Sequence, residues 1–110
     1  MRRVEFTVRG TKGDLYTCTF EREGNNLNAF CTCPDGRAGS YCKHRFALIE
    51  GNQSIVVSDN AHEVEEISEM IMGTDVEAAG IALAEAMDAV ERAEEMLTKA
   101  KRDFARALRK

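Results

Sequence analysis

The chain is poor in several residue types that many functions require. Among 110 residues there is no tryptophan, one proline and two histidines. No apolar run approaches the roughly 20 residues of a membrane span. The opening residues Met1-Arg2-Arg3-Val4-Glu5 lack the apolar core of a signal peptide, so a cytosolic (intracellular) protein is expected. There is no nucleotide-binding glycine loop. Four cysteines, three of them in a ligand pattern, suit a reducing compartment better than a disulfide scaffold. The length allows one domain, or a small domain with an appendage.

The charge is modest overall, at −4, but it is segregated. Residues 1–58 hold eight Lys and Arg against six Asp and Glu; residues 59–95 hold one base against twelve acids; residues 96–110 hold six bases against one acid. The chain as a whole is therefore not a general nucleic-acid binder by charge, although local basic patches remain. The shift near residue 58 divides the chain into a head, 1–58, and a helical tail, 59–110.

In the head, Val4, Phe6 and Val8 alternate with polar residues, as do Tyr16, Cys18 and Phe20, which predicts two half-buried strands. Gly10 to Asp14 and Gly24-Asn25-Asn26 read as turns, and Leu27 to Phe30 as a third strand, giving an antiparallel meander. Cys18 reads as a small buried apolar residue, with a reactive thiol or an extra ligand as the other readings. Cys42 to Glu50 reads as a helix closed by Gly51, with Phe46, Leu48 and Ile49 toward the sheet. Residues 54–58 form a short strand or extended connector.

The tail predicts two helices, about 61–72 and 75–109. Asn60 with Glu63, and Thr74 with Glu77, resemble capping boxes. Val64, Ile67 and Ile71 stripe the first helix. In the second, Val76, Leu83, Val90, Leu97 and Phe104 recur every seven residues, with Ala79, Ala86, Ala93, Ala100 and Ala107 three residues after each. The two helices form a hairpin or a coiled coil; helix 61–72, about 18 Å long, could fold back over no more than a third of the seam, so association between chains is expected. An antiparallel pair is favoured, because residues 75–95 carry seven acids and one base and would face the basic tail of the partner.

The densest chemistry lies in Cys31-Thr32-Cys33-Pro34-Asp35-Gly36-Arg37-Ala38-Gly39-Ser40-Tyr41-Cys42-Lys43-His44. Three thiols and one imidazole complete a tetrahedral set for one structural zinc ion. Residues two apart in an extended segment point the same way, so Cys31 and Cys33 chelate as a pair. Cys42 and His44 form the second pair at the entry to a helix. Four protein ligands leave no open position for activating water. Alanine at Cys33 or His44 is expected to unfold residues 15–50.

This CxC-x8-CxH pattern, with Pro34 after the second cysteine and Lys43 before the histidine, resembles the SWIM zinc finger over roughly residues 14–50. The resemblance implies a zinc-stapled ββα arrangement, and hence an α+β fold for the whole chain. Members of that family occur in Snf-type bacterial helicases, Mutator-class transposases, plant transcription factors and Shu-type recombination mediators. It implies zinc binding and contact with DNA or protein. These 110 residues carry no ATPase, transposase or kinase segment.

With His44 assigned to zinc, no Ser-His-Asp or Cys-His-Asn set remains, and His62 reads as a surface residue at a helix start. The adjacent acids Glu65 and Glu66, or Glu94 and Glu95, lie about 100° apart on a helix and suit solvation rather than paired acid–base work. The expectation is therefore a non-catalytic adaptor or regulatory protein, binding a protein partner through the finger and self-associating through the tail. Nucleic-acid binding is the second reading. It would use Arg37, Tyr41, Lys43 and Arg45 around the finger, Arg2 and Arg3 nearby in sequence, and Lys99, Lys101, Arg102, Arg106, Arg109 and Lys110 in the tail.

Overall fold

A computed structural model describes residues 1–109; Lys110 lies outside them. Three antiparallel strands, β1 (Arg2–Arg9), β2 (Leu15–Glu23) and β3 (Asn26–Cys31), form one sheet in the order β1-β2-β3. A four-residue helix, α1 (Pro34–Arg37), and a seven-residue helix, α2 (Lys43–Ile49), follow. Next come a 3-10 turn (Ala61–Val64), α3 (Glu65–Ile71) and the long α4 (Asp75–Ala107). The meander and the strand–helix finger agree with the alternation read above. Among the described residues no helix is long and apolar enough to cross a membrane.

The register explains the core. Val4 pairs with Phe20 and Phe6 with Cys18, all facing inward. Phe6 and Phe20 meet edge to face with ring centroids 6.5 Å apart, a geometry aromatic quadrupoles favour. Leu27 and Cys31 extend this face on β3, and Leu48 of α2 closes it from above.

Two compact units divide the chain, Met1–Glu77 and the remainder of α4 with the residues after it. The 3-10 turn and α3 therefore belong to the head, a correction to the boundary placed near residue 58. Val64, Ile67 and Met70 are buried in the same core as the sheet, and Ile71 and Val76 pack on it partly exposed. The acidic residues of this segment point to solvent, which produced the charge shift without marking a domain boundary. Arg22 ties the segment down: Nη1 donates to the carbonyls of Met70 (3.1 Å) and Met72 (2.6 Å), and Nε to that of Gly24 (2.9 Å). Arg22→Ala should destabilise the zinc-loaded protein by about 2 kcal/mol, the size expected for losing charged hydrogen bonds to partly buried carbonyls. Urea unfolding would measure it, and an unchanged midpoint would contradict the role.

The residues after α2 seal the free edge of β1. Arg9 N–H donates to the Ile55 carbonyl and Val57 N–H to the Thr7 carbonyl, at 2.9 and 2.8 Å. Ser58 Oγ accepts from Thr7 N–H, and Asn60 Nδ2 donates to the Glu5 carbonyl. An otherwise unpaired sheet edge is thereby covered. Asn60 consequently does not cap the turn through its side chain; Nδ2 donates to Glu63 Oε2 instead. At the start of α4, Glu77 accepts from Gly73 N–H, while Thr74 Oγ1 donates backward to Ile71.

Helix α2 ends in a Schellman motif: Gly51, at φ +88°, donates to Leu48, and Asn52 donates to Ala47. Its buried side chains are His44 and Leu48, one turn apart on one face. Phe46 instead turns toward Tyr41, with ring centroids 5.8 Å apart, while Ile49, partly exposed, packs against the core.

Candidate metal centre

The last rungs of the β2–β3 ladder aim the first ligand pair. Thr32 N–H donates to the Thr17 carbonyl at 3.1 Å, and Thr17 N–H donates to Thr32 Oγ1 at 3.0 Å. Thr32 is thus held toward solvent, and Cys31 and Cys33 on either side turn inward. Cys33 then caps α1, where its Sγ accepts from Gly36 N–H at 3.3 Å. The second pair sits at the entry to α2. Cys42 is extended (φ −125°, ψ 117°) and His44 already helical, so the two side chains converge across Lys43, the first residue of the helix.

The four ligand atoms lie within 4.8 Å of one another, and all four residues are buried. Cys33 Sγ and Cys42 Sγ are 3.4 Å apart, and His44 Nδ1 is 3.8 Å from Cys31 Sγ and 3.7 Å from Cys42 Sγ. Bond lengths of about 2.3 Å to sulfur and 2.0 Å to nitrogen give tetrahedral edges of roughly 3.5–3.8 Å. These three separations match a zinc site within a few tenths of an ångström, and all four atoms lie within 4.8 Å of one another, close enough to converge on one ion. The donor set agrees, since three soft sulfurs and an imidazole exclude a hard-cation site.

The electrostatics also suit a metal. Burial pushes the Cys31 thiol well up. For Cys42 burial acts in the same sense, but it is outweighed by the Arg45 N–H, the Cys33 and Cys31 side chains and the His44 N–H, so this thiol lies below its usual range. No capping hydrogen bond closes on its sulfur, so the amides act through their dipoles. Burial and the adjacent Lys43 hold His44 below the usual imidazole value, opposed by Asp35. The ring is therefore neutral near pH 7, as a ligand must be. Zinc bound here by Cys31, Cys33, Cys42 and His44 supplies a structural staple across β3, α1 and α2.

Cys18 stands opposite Cys31 in the register and is fully buried. Burial pushes its thiol up to about 11, and it lies outside the converging set. It is a core residue behind the ligands.

The residues considered for contact separate into two groups. Arg37, Tyr41 and Lys43 are exposed around the finger. Arg45 is turned inward, donating to the carbonyls of Ala29 (2.9 Å) and Ser40 (2.7 Å), where it braces the finger loop against β3. Arg2 and Arg3 pair with Glu66, Glu69, Glu5 and Glu21. In α4, Lys101, Arg102 and Arg106 are exposed, and Lys99 pairs with Asp103. The seam residues Ala79, Ala86, Val90, Ala93, Leu97, Ala100 and Phe104 are exposed, while Val76 and Leu83 are partly covered. His62 is exposed.

The fold and ligand set define a zinc-stapled ββα module followed by helices. Residues 12–50 match the family model of the SWIM zinc finger. The chain thus carries a SWIM-type finger over about a third of its length, with all four ligand positions filled. No curated protein and no solved structure matches the chain.

Proposed function

We propose that this protein is a non-catalytic adaptor whose zinc finger holds a protein partner and whose α4 helix pairs with a second copy of the chain. The observation that carries the reading is α4 itself. It continues for 33 residues, about 50 Å, without burying one side chain, and it leaves Val90, Leu97 and Phe104 each more than half exposed on one heptad stripe. Large apolar side chains in such a row seek a partner. Acids dominate the first half of the helix and bases its end, so an antiparallel second copy satisfies both charge and seam.

Sedimentation velocity at micromolar concentration should give a dimer or a higher oligomer, and Leu97→Asp with Phe104→Asp should give a monomer. A wild-type monomer would refute self-association. For the finger, a closed ligand set and exposed Tyr41, Arg37 and Lys43 favour recognition over chemistry.

Nucleic acid is the second reading, favoured by the same exposed bases. The inward turn of Arg45 and the pairing of Arg2 and Arg3 weaken it. Salt-dependent anisotropy of labelled DNA, reduced by Arg37→Ala with Lys43→Ala, would promote it over the protein partner.

A further inference from the structure

A histidine that binds zinc through Nδ1 carries its proton on Nε2, and metal-ligating histidines donate that N–H to a carboxylate, a carbonyl or water. His44 turns Nδ1 toward the sulfurs. Its Nε2 is buried and has no hydrogen-bond partner among the described residues.

The imidazole is one wall of a cavity of about 430 Å³ that the β1–β2 turn and the start of α1 also line. Tyr16 stands beside the ring, with centroids 5.4 Å apart and planes tilted by 44°. Gly10 backs Tyr16 so closely that an added Cβ would lie 2.8 Å from Tyr16 Cε2. The aromatic ring is thus packed against the backbone of Gly10 on one side and the imidazole on the other.

Side-chain acceptors around this cavity are few. Lys12 and Lys43 only donate, and Lys43 Nζ already reaches Thr11 Oγ1 at 3.4 Å. The two carboxylates are Asp14, in the turn, and Asp35, on α1 two residues after the ligand Cys33. Asp14 belongs to the β1–β2 turn, whereas Asp35 is carried on the same short helix that the ligand Cys33 caps. Asp35 is also exposed.

We propose that Asp35 is a positioning residue of the finger: with zinc on Nδ1, its carboxylate accepts the Nε2–H of His44 and fixes the tautomer and orientation of the ring. The inference rests on the zinc assignment above and adds a fifth residue to the site. It is tested on the full chain loaded with zinc, using Asp35→Ala, Asp35→Asn, Asp35→Glu and the control Asp14→Asn. Zinc affinity is measured by chelator competition. The His44 imidazole is followed by long-range proton–nitrogen NMR and by the exchange rate of its Nε2 proton.

Asp35→Ala and Asp35→Asn should weaken zinc by about 10-fold or more, within the range typical of such outer partners, while Asp14→Asn stays within about twofold. Asp35→Glu should recover most of the affinity. The Nε2 proton should be slow to exchange in the wild type and fast in Asp35→Ala and Asp35→Asn. Wild-type affinity and an unchanged Nε2 signal in both variants would overturn the proposal. So would the same loss in Asp14→Asn alone, or weakened zinc binding with an unaltered imidazole signal, which would make Asp35 a support of α1 only. Absence of zinc binding by the wild type would overturn the zinc assignment together with it.

Discussion

Alanine at Cys33 or His44 will release zinc and disorder the chain from Thr32 to Ile49, while β1, β2 and α3 stay folded. Structural zinc contributes apparent binding energies of roughly 10–16 kcal/mol in small fingers, comparable to the whole stability of a typical domain at about 5–15 kcal/mol. Little else holds the finger. Helix α1 buries no residue, and the buried residues of α2 are Leu48 and the ligand His44. Without the metal, buried thiols face one another with only weak S–H donors.

The sheet has independent support, because Phe6, Phe20, Val64, Ile67 and Met70 form a core beyond the ligands. The affected region is therefore narrower than the residues 15–50 expected from sequence. Zinc content and amide NMR spectra of the two variants check this. A variant that keeps one zinc per chain and a folded finger would contradict it.

Gly36→Ala is the second large effect, and it needs no change of ligand. A Cβ at Gly36 would stand 2.3 Å from the Cys31 carbonyl oxygen, 2.8 Å from Cys31 Cβ and 2.9 Å from its carbonyl carbon. These contacts lie on the backbone and Cβ of a zinc ligand at the end of β3, where nothing yields by a rotamer change. Relief requires moving α1, which also breaks the Gly36 N–H bond to Cys33 Sγ.

Overpacking of this kind costs about 1–3 kcal/mol, with the upper end expected here. The zinc-loaded melting temperature should fall on the order of 10 °C. Gly39 in the same loop is the control: it has φ +73° but open space around it, so alanine there should cost only about 1 kcal/mol of backbone strain. Equal melting temperatures for the two variants would show that the close approach to Cys31 is not sensed.

What could be read from sequence follows from how local each signal is. The ligand pairs were legible because CxC and CxH fix their geometry within three residues each. The strands were legible from alternation at Val4, Phe6 and Val8, and the start of α4 from Thr74 and Glu77. Helix α1 was not, since Pro34-Asp35-Gly36-Arg37 is too short for any period to appear, and the constraint on Gly36 is its contact with Cys31, which lies outside any local pattern.

The face of α2 was legible for Leu48 and Ile49, which meet the core, but not for Phe46, which turns to Tyr41, because burial of the ligand His44 centres the inward face on Leu48, one turn later. Arg45 was read as a free contact residue, and the role of Arg22 was not visible at all, because their partners are backbone carbonyls 16 to 50 residues away, which no side-chain pattern reveals. The placement of α3 in the head was obscured by its own acidic outer face. Its apolar stripe was visible, although Met70 rather than Ile71 is the fully buried member.

The central claim is that one zinc ion staples β3, α1 and α2 through Cys31, Cys33, Cys42 and His44. It is tested most directly by recording amide NMR spectra of the wild-type protein before and after stoichiometric removal of zinc with a chelator, then after its return. The expected result is loss of dispersed signals from residues 32–49, persistence of the α4 signals, and recovery on adding one equivalent of zinc per chain. A finger whose signals are unchanged without metal would contradict the account.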